Sequence, residues 1–192
     1  MSDDFHERLN RILPRLMSEE LLTNKGLGNE IGYWIFDYPV ERELEMRSFL
    51  DDVILPALRK RQPPLRLAVV NLFDLIIEVL DERGLYDRVL AMQQNKGDDA
   101  ALAALRPVLK EDKLAERITS KIDVDQVDLL FLTGVGPAYP MLRSHTLLTA
   151  LQASMKKTPL VMFYPGRYDG FSLRLFNTLA DDHYYRAFRL VD

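Results

Sequence analysis

Two stretches in the last third of the chain constrain its fold more than any other feature. TGVGPAYPMLRSHTLLTAL (Thr133 to Leu151) and PLVMFYPGRYDGFSLRLF (Pro159 to Phe176) each read as strand, glycine loop, then helix. Repetition of that unit predicts an α/β protein with a mostly parallel sheet, because a strand reached through a crossover helix pairs in the same direction as its predecessor. Both loops leave the carboxyl ends of their strands, the edge at which open parallel sheets bind ligands. Functional residues are therefore sought there first.

The rest of the chain supplies the frame. Phe5, Leu9, Ile12, Leu13 and Leu16 recur at helical spacing and predict an amphipathic N-terminal helix, broken or kinked at Pro14. Ile31 to Phe36 reads as a buried strand. The helix after it carries an apolar face from Met46 to Leu58, a late kink at Pro56, and Arg59-Lys60-Arg61 at the negative end of its dipole. Leu65 to Val70 is a second strand, Asn71 the cap of a helix from Leu72 to Arg83, and Gly84 its terminator.

Residues 85–122 read as charged helices with breaks at Asn95-Lys96-Gly97-Asp98 and near Pro107. That is more chain than a crossover needs. It is expected to be a helical insertion, either an arm that contacts a partner or extra helices packed on one sheet face through Leu102, Leu105, Val108 and Leu109. Val127 to Leu132 and Leu160 to Tyr164 supply the third and fourth strands, followed by helices at Leu142 to Met155 and Phe171 to Leu179. Tyr184 to Val191 reads as a half-buried edge strand. The expectation is one α/β domain over residues 1–192, a three-layer sandwich around a mostly parallel sheet of four to five strands.

Composition then excludes function classes. With 192 residues, 47% of them hydrophobic, the chain can bury a proper core. The absence of cysteine excludes disulfides, thiolate catalysis and Cys-ligated zinc. The beginning MSDDFHERLN lacks the basic start and apolar run of a signal peptide, and no segment approaches the ~20 apolar residues of a membrane span, so a cytoplasmic protein with no membrane contact is expected. A net charge of -4 disfavours direct DNA binding, which depends on Lys and Arg neutralising phosphates. Charge is uneven, however: between Asp128 and Asp169 there is no acidic residue, while Arg143, Lys156, Lys157 and Arg167 give that stretch +4. Buried strands carry few charges of either sign, which explains part of this island; a surface that meets an anion or an acidic partner would explain the rest.

No motif completes a catalytic site. The GLG of Lys25 to Glu30 precedes its strand, whereas a phosphate loop must follow one and open a helix, so it reads as a turn. Gly134-Val135-Gly136 is better placed, but the third glycine of a dinucleotide fingerprint falls on Tyr139. Arg143 and His145 could converge with the amides of the following helix on an anion; the plainer reading makes Ser144 a cap and His145 a polar first-turn residue. In the second loop Arg167 could meet a phosphate or carboxylate, and Asp169 before Gly170 is foremost a turn signal. His6, His145 and His183 are not at metal-binding spacing. Asp37, Asp74, Asp128 and Asp169 lie near strand ends, with Asp128 on the opposite edge from Asp37 and Asp169.

Three blocks, GLGNEIGYWIFDY, TGVGPAYPMLRSHTLLTAL and PLVMFYPGRYDGFSLRLFNTLADDHYYRAFRL, strongly resemble the BrxB family, the small α/β component of bacterial BREX (bacteriophage exclusion) systems. The resemblance spans nearly the whole chain. It implies a role in antiphage defence alongside the phosphatase-like PglZ, the ATPase BrxC and the methyltransferase PglX, and brings no catalytic residues or cofactor with it. The expected function is a non-catalytic adaptor acting by protein–protein interaction. Tyr164, Arg167 and Tyr168 are its expected anchors, with Tyr184, Tyr185 and Arg186 of the same chemistry nearby. The alternative is a degenerate nucleotide fold that binds a phosphate-bearing ligand through the Gly134 and Gly166 loops, Arg143 and His145.

Overall fold

The opening helix α1 (Asp4–Leu16) turns Phe5, Leu9, Ile12 and Leu16 inward and runs through Pro14 instead of breaking there. Pro14 lies in the last turn, so its missing amide removes a single bond where the helix is about to end. A short α2 (Glu19–Thr23), capped by the hydroxyl of Ser18, precedes β1 (Tyr33–Tyr38), which begins later and extends further than its apolar run. This computed structural model describes residues 4–24, 32–155, 157–181 and 187–192. The GLG turn, Ile31, Lys156, His183, and Tyr184, Tyr185 and Arg186 of the expected last strand lie outside the described residues.

The next helix has three parts, α3 (Glu43–Phe49), a π-helical turn (Leu50–Ile54) and α4 (Leu55–Arg59). Its irregularity precedes Pro56: the Leu55 amide donates to the Leu50 carbonyl, five residues back. Pro56 has no amide for the carbonyl four residues earlier and its ring crowds that carbonyl, so the backbone widens there. The widening keeps Met46, Leu50, Ile54 and Leu58, spaced by four, all buried.

Strand β2 (Leu67–Asn71) passes directly into α5 (Leu72–Glu82), where Asn71 Oδ1 accepts the amides of Phe73 and Asp74 at 3.0 and 3.3 Å. The helix stops at Gly84, whose φ of 60° lets the Leu85 amide return to the Leu80 carbonyl at 2.8 Å. Helices α6 (Tyr86–Lys96), α7 (Asp98–Leu105) and α8 (Glu111–Ile122) follow, separated at Gly97 and around Pro107. α8 buries Leu114, Ala115 and Ile118, and ties to α5 through Arg117 with Glu82 and Lys121 with Glu78. By contrast α6 buries no residue.

Strand β3 (Leu129–Thr133), α9 (Val135–Ala138), α10 (Ser144–Gln152) and β4 (Leu160–Tyr168) continue the α/β alternation. The helix expected at Phe171 to Leu179 is not formed. β4 runs on past its apolar core into an antiparallel hairpin with β5 (Leu173–Leu175), which pairs in turn with β6 (Leu179–Asp181). Here alternation defeats helical spacing: Leu173 and Leu175 point inward with Arg174 outward, and Phe176 and Asn177 make the turn at φ 54° and 60°.

The last described strand, β7 (Phe188–Arg189), adds to β1. The main path of the seven-stranded sheet is β2-β3-β4-β1-β7, parallel throughout. Strand residues alternate between two cores. Trp34, Phe36, Phe131 and Phe163 face α1 and the α3–α4 helix, whereas Ile35, Leu130, Leu132 and Met162 face α5, α8 and α10. The result is the expected three-layer α/β architecture. Among the described residues no helix is long and apolar enough to cross a membrane.

Candidate binding surface

β1 and β4 are neighbours at the point where the strand order β2-β3-β4-β1-β7 reverses direction along the chain, which makes the crevice at their carboxyl ends the place where an open α/β sheet would hold a ligand. In this chain the crevice is filled from within. Asp37, 7% exposed, receives Arg8 of α1 at 2.6 Å on one oxygen and the Tyr168 amide at 2.8 Å on the other. Both oxygens are thus tied into the fold, one to the first helix and one to the end of β4.

Two of the other strand-end carboxylates, Asp128 and Asp169, are likewise engaged. Asp128, at the amino edge as expected, is held by Arg66 at 2.6 Å, which keeps its carboxyl below the ordinary range. Asp169 accepts the amides of Ser172 at 2.7 Å and Phe171 at 2.9 Å and the Ser172 hydroxyl at 2.9 Å, and these bonds hold its pKa down to about 2. It is a turn former. Among the described residues no three of His, Cys, Asp and Glu gather in metal-binding geometry.

Two of the expected anchors, Tyr164 and Tyr168, are buried. Tyr168 is 0% exposed, and its hydroxyl donates to the Ala187 carbonyl at 2.7 Å, with the Gly170 carbonyl 3.1 Å away, which ties the residue before the last strand to the hairpin. Tyr164 is buried as well, at the floor of a cavity. Arg167 is exposed and stands directly across the hairpin from Arg174. It is not part of that cavity.

The structure does bring Arg143, His145 and Tyr164 together. They line a cavity of about 330 Å³ at the carboxyl edge, walled by Tyr139 and by Leu175 and Thr178 of the hairpin. Ser144 is the first residue of α10, not its cap. Arg143 occupies the cap position, and its side chain makes no capping hydrogen bond. The glycine loop beside it has a structural explanation. Gly134 adopts φ 68°, and a Cβ there would lie 1.9 Å from Oδ1 of Asn71, the atom that caps α5.

Beyond Arg143 the surface continues. A second basin of about 530 Å³ shares Tyr139, Arg143 and His145 with the first and reaches Arg106 and Glu111. A third, of about 380 Å³, shares Leu102, Pro140 and Met141 with the second and is walled by Phe73, Ile77, Tyr86 and Leu90. The three form one trough centred on residues 139–145. Tyr86 and Leu90 remain 39% exposed on a helix that buries nothing, which is unusual for large apolar groups one turn apart. Arg106 and Arg143 are exposed and make no side-chain hydrogen bond or ion pair among the described residues.

The apolar half of this trough did not emerge from sequence patterns. Its walls come from α5, α6, α7 and the α9–α10 loop, and only the i, i+4 spacing of Tyr86 and Leu90 on α6 signalled it.

Comparison with known proteins places the chain among relatives. Residues 68–190 match the family model described as BREX protein BrxB. A protein of that name from Bacillus cereus (strain H3081.97) is 40% identical over 191 residues, covering 97% of each chain. Another from Escherichia coli O9:H4 (strain HS) is 42% identical over 184 residues, covering 96% of this chain and 90% of that one. No solved structure is a significant match.

Proposed function

The chain belongs to the BrxB family, a component of the bacterial BREX antiphage system, and on that premise we propose that it is a non-catalytic, cytoplasmic adaptor that docks another BREX protein in the trough. One observation carries this reading: apolar walls at Phe73, Ile77, Tyr86 and Leu90 lie next to the exposed guanidiniums of Arg106 and Arg143. Aromatic and arginine side chains dominate the energetics of protein interfaces, and complementary charge fixes register. The occupant that fits is an amphipathic helix whose apolar face fills the groove and whose carboxylates reach the two arginines.

PglZ, BrxC and PglX are the proteins to test. The experiment is co-purification of the chain with each of them separately, followed by chromatography with light scattering. Stable co-elution with one, lost in Arg143→Glu, supports the adaptor. Failure with all three removes its support.

A second reading rests on the uncapped amides at the start of α10, which open with Arg143 and His145 on the smaller cavity. These groups suit a phosphate-bearing ligand. Such a ligand would stabilise the fold by about 2.7 kcal/mol at a hundredfold excess over Kd. A thermal-shift series with nucleotides and inorganic phosphate tests it, and no shift with any of them rejects it.

A further inference from the structure

Strand β2 has a single strand neighbour among the described residues, β3, so one row of its backbone N–H and C=O groups faces away from the sheet. Such an edge is normally blunted by a charge, a proline or extreme shortness. This one reads Leu-Ala-Val-Val-Asn, five residues without a charge, and Val69 stays 44% exposed. Alongside, the α3–α4 helix runs back antiparallel to β2, and its Asp51 and Leu55 border a groove with Val69.

Charge is graded along this edge. Arg59, Lys60 and Arg61 stand towards the amino end of β2, while Asp51 borders its carboxyl half and Asp74 lies in the first turn of the helix that leaves it. Asp51, Arg59 and Lys60 are exposed, and their side chains make no hydrogen bond or ion pair among the described residues.

We propose that this edge is the contact of a two-fold homodimer in which β2 pairs antiparallel with β2 of a second copy. A two-fold axis lays the amino end of each strand against the carboxyl end of the other, so the basic end of one copy meets the acidic half of its mate at both ends of the contact. A parallel pairing would set like charge against like. With Val69 near the axis, Asp51 of one copy faces Arg59 of the other, and the outward backbone row of each strand is satisfied by its mate. The proposal does not depend on the trough and its partner.

The test is light scattering of the purified chain over a range of concentrations. The wild type is expected at twice the monomer mass. Val69→Lys and, separately, Asp51→Arg are expected to run as monomers with an unchanged circular dichroism spectrum, and Asp51→Arg combined with Arg59→Asp is expected to restore the dimer. A wild type that stays monomeric at every concentration overturns the proposal. So do single variants that remain dimeric, or a double variant that stays monomeric.

Discussion

Arg8 of the first helix and Asp37 of the first strand meet 2.6 Å apart, and the opposite oxygen of the same carboxylate takes the amide of Tyr168. Three distant parts of the chain are joined at the sheet crevice where a ligand would otherwise sit. The Arg8 guanidinium also lies 5.0 Å from the centre of the Phe36 ring, so its position is fixed by packing as well as by charge.

Asp37→Ala should therefore be severely destabilising. Removing one partner of a largely buried pair leaves the other charge uncompensated and costs about 3–5 kcal/mol. Chemical denaturation measures the loss; a change below about 1 kcal/mol, the level of an exposed pair, would show that water replaces the carboxylate.

Gly134 and Asn71 should prove coupled. Gly134→Ala forces a side chain to φ 68° and into the capping oxygen, whereas Asn71→Ala simply deletes the cap, at about 1 kcal/mol. In a double-mutant cycle Gly134→Ala is expected to cost less once Asn71 is alanine, by roughly 0.5 kcal/mol or more. Strict additivity would mean that the two residues do not collide.

Arg167→Glu is expected to stabilise the hairpin. Like charges directly opposed across strands are unfavourable, and replacing one with glutamate sets an ion pair against Arg174, a gain of a few tenths to about 1 kcal/mol. Thermal unfolding reads the sign. If the same variant also loses partner binding, Arg167 joins the docking surface independently of fold.

Acid should loosen the hairpin late. The amides of Ser172 and Phe171 hold the folded pKa of Asp169 at about 2, against about 3.9 for an unstructured Asp. A depressed carboxylate pKa contributes stability that is complete above the unfolded value and is lost as pH falls from about 4 to 2. Carboxyl titration by NMR should place Asp169 near the lower figure; titration near 4 would mean that the turn is open in solution.

How far the sequence foretold these features depended on the range of the interactions involved. Strand β3, the Asn71 cap and the Gly84 stop were legible because each follows from neighbours along the chain. The hairpin after β4 was not, since Phe171, Leu175 and Leu179 also satisfy helical spacing and only the inward Leu173 and Leu175 reveal alternation. Tyr168 read as an exposed anchor because the carbonyl that takes its hydroxyl lies 19 residues away and the carboxylate that takes its amide 131 residues away. Arg143 and His145, read as an anion site, and Tyr164, read as a partner anchor, meet in one cavity because strand polarity puts both loops on one edge. The apolar extension of that site needs α5, α6, α7 and the α9–α10 loop in contact, which no local pattern encodes.

The docking reading is tested most directly by the affinity of the captured BREX protein for wild-type chain and for Leu90→Glu, measured by calorimetry on variants with matched thermal stability. A carboxylate in the apolar half of the trough should weaken binding by at least about tenfold, the scale of a truncated interface anchor. Unchanged affinity would place the interface elsewhere and contradict the account.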